Sequence, residues 1–191
     1  MAGVAYTRRV PRYDVPKAAP QPLNLVREFV NTIDLEHGVE WLSTPEELAR
    51  WFADRGLSPP AGGWRGLRRA HELREALRAL VIANRDDAQP PESALRIVNE
   101  VAVGLNATLN PEGEISFVVG SRRAADDLAQ LVRVVFASIA DGSWRRLKAC
   151  RNCRWAFFDY SRNRTAHWCS MSLCGNRQKT RRYRSKRARS V

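Results

Sequence analysis

The sequence predicts a mainly helical α+β fold in two parts: a larger helical domain with one β-hairpin, and a small cysteine-rich module at the C-terminal end. Three observations carry this. Apolar residues recur at helical spacing over most of the first 142 positions. The period changes once, at LNATLNPEGEISFVVG, to one that suits a pair of strands. All four cysteines of the 191-residue chain lie between positions 150 and 174. With 44% hydrophobic residues, the chain can bury a real core.

Residues 1–20 are rich in proline and lack periodicity, so they read as a flexible arm. The start, MAGVAYTRRVPRYDVPKAAPQP, has no apolar stretch behind Arg8-Arg9, and no run of 18 apolar residues follows anywhere. Neither a secretion signal nor a membrane span is expected, and the reading is a soluble cytoplasmic protein.

The domain over 21–142 then unfolds as a series of helices. Leu23, Val26, Phe29, Val30 and Ile33 mark a first amphipathic helix. Thr44-Pro45-Glu46-Glu47 offers an N-cap, a proline at the first helical position and a capping-box glutamate; this helix should bury Leu48, Trp51 and Phe52 and end at Gly56. Leu67, Ala70, Leu73, Leu77, Leu80 and Val81 predict a longer helix, and Leu95, Val98 and Ala102 a shorter one. In the hairpin that follows, Asn110-Pro111-Glu112-Gly113 suits a type I turn. Ser121 should cap a last helix burying Leu128, Leu131, Val132, Val135, Phe136 and Ile139, ended by Gly142.

In the module over 143–191 the cysteines form two close pairs, Cys150-x2-Cys153 and Cys169-x4-Cys174, fifteen residues apart. Without a secretion signal disulfides are not expected, and a dithiol enzyme would need only one pair in a thioredoxin-like setting. Two pairs around a hairpin-length spacer match a tetrahedral four-thiolate site for one zinc ion. His167 is the rival ligand, but four cysteines already close the site; His37 and His71 read as surface or packing residues. Between the pairs, RWAFFDYSRNRTAHW alternates as a β-hairpin would and breaks at Ser161-Arg162-Asn163-Arg164. Trp155, Phe157, Phe158, Tyr160 and Trp168 could stack on bases, although the favoured reading is that they supply the small module's core around the zinc. Gly175 permits a tight turn, and Asn176 can cap a basic helix running to about Arg187, with Asn176, Thr180 and Tyr183 resting on the module.

Charge separates the two parts. The chain carries +12, yet 145–191 holds 15 Lys/Arg against one acid, Asp159, so this end carries +14 and the first 144 residues −2. That asymmetry marks a polyanion-binding module on a slightly acidic body. Candidate nucleic-acid contacts are Arg162 and Arg164 at the hairpin tip and Arg177, Lys179, Arg181, Arg182, Arg184, Lys186 and Arg187 on the helix. Most should meet phosphates; Arg177, in the helix's first turn, is the candidate for a bidentate contact to guanine.

The run Cys150, Cys153, Trp155, Phe157, Asp159, Ser161-Arg162-Asn163, Trp168-Cys169-Ser170-Met171 and Cys174-Gly175-Asn176-Arg177 resembles the bacterial CGNR zinc finger. Upstream, Phe29-Val30-Asn31-Thr32 and the segment from Trp41 to Gly56 are similar to the ABATE domain that usually precedes it. The resemblance implies a transcription regulator whose finger binds DNA and whose helical domain senses a stress-linked signal, with room for a small-molecule effector. An RNA- or ribosome-associated zinc protein is the alternative, since charge alone does not separate the two polyanions. An enzyme is not expected. A zinc deaminase would show H-x-E before P-C-x-x-C, and neither occurs; Asp34, Glu36 and His37 read as a solvated helix end.

Overall fold

The computed structural model describes residues 17–109, 111, 115–119 and 128–181. Most of the expected arm, the turn at 110–113 apart from Pro111, the Ser121 cap, Tyr183, and the candidate contacts Arg182, Arg184, Lys186 and Arg187 lie outside the described residues.

Helix α1, Leu23–Val30, buries Leu23, Val26, Phe29 and Val30. It stops earlier than its spacing predicts, because Ile33 belongs to a strand. β1 (Ile33–Asp34) pairs antiparallel with β2 (Val39–Glu40), as suits the β-branched pair Thr32-Ile33. Helix α2, Pro45–Ala53, carries the expected capping box: Thr44 Oγ1 accepts from Glu47 N at 3.2 Å, and Glu47 Oε2 accepts from Thr44 N at 3.1 Å. Such a cap contributes about 1 kcal/mol. Trp51 and Phe52 pack on Phe29, with ring centroids 5.3 and 6.4 Å away.

Helix α3, Trp64–Asp86, has 23 residues and so spans about 34 Å. It packs against α1, α2, α4 (Glu92–Ala102) and a strand of the C-terminal module. Two of its arginines are buried. Arg74 grips Glu40 with a two-pronged contact at 2.6 and 2.7 Å, and Arg78 pairs with Glu75 at 2.9 Å while donating to the carbonyls of Val30 and Arg154. On α4 the buried stripe is Ala94 and Val98, with Ile97, Val101 and Ala102 half-buried beside it. The stripe is turned by one position from the expected one, which leaves Leu95 exposed.

β3 (Leu105–Leu109) and β4 (Ile115–Val119) form the expected hairpin, with Leu109 opposite Ile115, and Phe117 meets Phe136 edge-on at 5.6 Å. Helix α5, Leu128–Ala140, buries Leu128, Leu131, Val132 and Val135. Ile139, expected on that face, is exposed; in the last turn the buried position goes to Ser138, whose hydroxyl bonds to Val135 O at 2.8 Å.

A 3-10 turn, Ser143–Arg146, leads into β5 (Leu147–Ala149), which pairs antiparallel with β6 (Ala156–Phe158). Both faces of this hairpin are buried. Leu147, Ala149, Ala156 and Phe158 enter the core of the helical domain, while Phe157 joins a second cluster around the cysteines. The helical domain's core therefore runs across the boundary expected at 142/143. The end of the expected arm is also engaged: Ala19 is buried, Lys17 O accepts from Phe158 N at 3.1 Å, and Lys17 Nζ donates to Trp168 O at 2.8 Å.

Candidate metal centre and its basic helix

Cys150 and Cys153 sit on the turn between β5 and β6. Cys150 N bonds to Trp155 O, and Arg154 N to Cys150 O, both at 2.9 Å. Arg154 adopts a left-handed φ of +59°, which costs a residue with a side chain about 1 kcal/mol or more. The Arg78 guanidinium on its carbonyl helps hold it there.

The second pair is brought round by a π-turn, Met171–Gly175, capped by Ser170, whose hydroxyl accepts from Leu173 N at 3.3 Å. Ser170 O takes the N–H of both Cys174 and Gly175 at 3.0 Å. This wide turn explains the x4 spacing, because it returns the Cys174 sulfur towards Cys169. It also corrects the expected start of the basic helix. Helical structure begins at Met171, Ser170 is the cap, and Asn176 lies inside the run that continues through 176–181. Gly175 does not serve a left-handed turn, since its φ is not positive, and a Cβ there would meet Met171 Sδ at 2.8 Å, the movable end of an exposed side chain.

All four cysteines are buried, and their sulfurs lie within 4.8 Å of one another. Cys153, Cys169 and Cys174 stand 3.6 to 3.7 Å apart. Zinc held at about 2.3 Å by four sulfurs requires S···S edges of about 3.8 Å, so the thiols already approximate that tetrahedron. They are far beyond disulfide length. Hydrogen bonds among the four sulfurs couple their acidities: those from Cys153, Cys169 and Cys174 push the Cys150 thiol far down, and the bond with Cys150 is the main cause that holds Cys153 and Cys169 far up. Four sulfurs this close could all ionise only around a central cation, and the set is able to bind one zinc ion. His167 is not part of the cluster. Burial, then the charges of Arg151 and Lys148, lower its pKa, and its backbone O accepts from Arg151 N at 3.0 Å.

Trp155, Phe157, Trp168, Leu173 and the helical domain's Trp41 surround the cysteines, with Trp41 edge-on to Trp155 at 6.2 Å. Trp155, Phe157 and Phe158 are buried and Trp168 half-buried, so these rings form core. Tyr160 is exposed, its hydroxyl bonded to Ala18 O at 2.7 Å.

The hairpin expected between the cysteine pairs is replaced by another pairing. β6 pairs upstream with β5, and 165–168 forms no strand. The turn at 161–164 exists, closed by Arg164 N on Ser161 O at 3.2 Å, but a side chain organises the return. Buried Asp159 accepts from Ser161 N, Ala166 N and Lys148 Nζ at 2.9 to 3.0 Å. Burial would raise its pKa, but these bonds outweigh it and hold the carboxyl at about 2. The only acid of the basic end is thus a structural anchor.

Arg162 and Arg164 are exposed at that turn, and Arg177, Lys179 and Arg181 are exposed on the helix. Among the described residues no hydrogen bond or ion pair joins the two groups. Arg177 and Arg181 do converge, Arg177 Nη1 on Glu36 Oε1 at 2.5 Å and Arg181 Nη1 on Asn152 Oδ1 at 3.3 Å. Asn176 and Thr180, expected to rest on the module, are exposed; Gln178 is the half-buried position. Sequence reasoning missed Glu36, Asn152, Lys148 and the role of Asn31, whose amide donates to Ala156 O at 2.8 Å and accepts from Ala156 N at 2.7 Å. The lone acid among so many bases was a usable signal for Asp159 and hence for Lys148.

A family profile described as "Putative stress-induced transcription regulator" (ABATE) matches residues 23–142, and the "CGNR zinc finger" profile matches residues 146–187. No curated protein matches the chain.

Proposed function

Because the chain belongs to the ABATE family and ends in a CGNR zinc finger, we propose that it is a DNA-binding transcription regulator. The observation that carries this is the exposed trio Arg177, Lys179 and Arg181 on a helix that starts within the cysteine cluster. A zinc ion there would fix the helix by its first turn, aiming charges that would otherwise trail from the chain. Zinc supplies structure only. Arg162, Arg164, Lys179 and Arg181, with Arg182, Arg184, Lys186 and Arg187 beyond, contact phosphates, and Arg177 reads a base edge.

The helical domain supplies the signal input, and a small-molecule effector fits this role. An open recess along α4, lined by Leu95, Arg96, Asn99 and Val103 among others, is its candidate entry point. The protein acts without catalysis: Asp34 is occupied by Glu36 N, His37 N and His37 Nδ1 at 2.7 to 3.2 Å, a turn-closing arrangement rather than acid–base machinery. No described helix is long and apolar enough to cross a membrane, and the cytoplasm is the proposed compartment.

Crosslinking in cells followed by sequencing of the bound nucleic acid tests the proposal. Promoter-clustered DNA supports it, and enrichment of ribosomal RNA refutes it in favour of the RNA-binding alternative. In vitro, if about six phosphates are neutralised, log affinity should fall against log salt with a slope of about −5.

A further inference from the structure

Glu36 lies in the helical domain, 141 positions before Arg177 in the chain, yet its carboxylate meets that arginine at 2.5 Å. The turn that carries it is fixed. Asp34 accepts the amides of Glu36 and His37 and the His37 ring nitrogen, and Gly38, at φ +66°, closes the turn. Next to it, the Asn152 carboxamide links several partners. Its Nδ2 lies 3.5 Å from Glu36 Oε1 and 3.7 Å from Cys174 Sγ, and its Oδ1 accepts from Arg181. The carboxylate, the thiolate cluster and two arginines of the basic helix thus form one network.

We propose that Glu36 is a specificity-determining positioning residue: it holds the Arg177 guanidinium in the orientation from which it reads a base. This rests on the DNA-binding reading given above. An arginine reading guanine presents two parallel N–H groups to O6 and N7, and a free arginine must give up rotamer freedom to be held. The Glu36 contact is made through Nη1 alone, and Arg177 remains half exposed, so a second edge of the fork stays available. The negative charge of Glu36 beside that fork also opposes non-specific attraction to phosphate. Positioning and repulsion act together to widen the gap between the chosen sequence and any other.

A simple competitor for Arg177 would behave differently, because its removal would strengthen binding to all DNA equally. The test uses the full-length zinc-loaded protein, a duplex selected in vitro by the parent, and a random duplex of the same length, with zinc content and circular dichroism confirming that each variant is folded. Glu36→Ala should lower the ratio of specific to random affinity about tenfold while strengthening random binding. Glu36→Gln keeps an acceptor in the same place, so it should retain most of the ratio while it too binds random DNA more tightly. Arg177→Ala should lose the ratio as well, and the Glu36→Ala/Arg177→Ala double variant should be no worse than Arg177→Ala alone. An unchanged ratio in Glu36→Ala, or additive losses in the double variant, would overturn the proposal while leaving DNA binding intact. A parent that selects no sequence would overturn the DNA reading itself and this inference with it.

Discussion

Replacing Asn31 with alanine asks whether the helical domain and the zinc module unfold as one unit. β6 pairs with β5 along one edge only, and along its other edge Ala156 turns its N–H and C=O to the Asn31 carboxamide, at 2.7 and 2.8 Å. The side chain stands in for a missing neighbouring strand. Both partners are buried, so Asn31→Ala leaves two orphaned backbone groups, each costing about 1 to 3 kcal/mol. A total loss of about 2 to 6 kcal/mol is expected, a large share of the roughly 5 to 15 kcal/mol that holds a domain together. Asn31→Asp should do no better, because a carboxylate keeps the bond to Ala156 N but turns an acceptor, buried and charged, on Ala156 O.

The assay is a urea titration followed in parallel by far-ultraviolet circular dichroism, which reports the helices, and by zinc release to a chromogenic chelator, which reports the module. Both transitions should move to lower urea together. A loss below about 0.5 kcal/mol, or a shift in zinc release alone, would refute the idea that Asn31 joins the two parts.

Cys174→Ser should abolish stoichiometric zinc binding by elemental analysis; by hydrogen exchange the helix from Met171 onward should lose protection while Ala156 and Phe158, tied to Asn31 and Lys17, keep theirs. Asp159→Asn strands the buried Lys148 ammonium and should cost about 3 to 5 kcal/mol at neutral pH. The folded carboxyl titrates at about 2 against an ordinary 3.8, so its contribution of about 2 kcal/mol is complete above pH ~5 and is lost as the pH falls towards 2; denaturation midpoints of parent and variant should converge over that window. Gly66→Ala would place a Cβ 2.7 Å from the backbone oxygens of Pro60 and Ala61 and should cost about 1 to 3 kcal/mol, whereas Gly175→Ala meets only the tip of exposed Met171 and should be nearly neutral in the same thermal melt.

What could be read from the sequence was what local chemistry decides. The capping box at Thr44, the apolar period of α3, the β3–β4 hairpin and the four-thiolate site each depend on residues close in the chain or on a spacing with few alternatives. What escaped was set by distant partners. No local signal tells a reader that Asn31 completes a strand edge 125 positions away, that Phe158 points into the helical core while Phe157 faces the cysteines, or that Glu36 takes the first arginine of the basic helix. The alternation in RWAFFDY was legible as a strand, but its partner was not: upstream and downstream pairings fit the same alternation, and Asp159 resolves the choice by capturing the amides on the return.

The hairpin β5–β6 explains why the zinc module is not a finger on a tether. A segment of about 45 residues has too little interior to stand alone, and here two sources supply the deficit. One face of the hairpin takes the cysteine cluster with Trp155 and Phe157, and the other takes the core built by α1 and α3. Around this seam the helical domain adds Trp41 against Trp155, the Lys17 ammonium on Trp168 O and Glu36 on Arg177. A duplex docked on the basic helix would therefore meet a body held at a fixed distance and angle, with a carboxylate at the first contact. On the DNA-binding reading, the body's charge of −2 through position 144 would offer phosphates beyond the helix's reach little further attraction. Attraction confined to one helix and one turn would then favour a single register on the duplex over sliding contact along it.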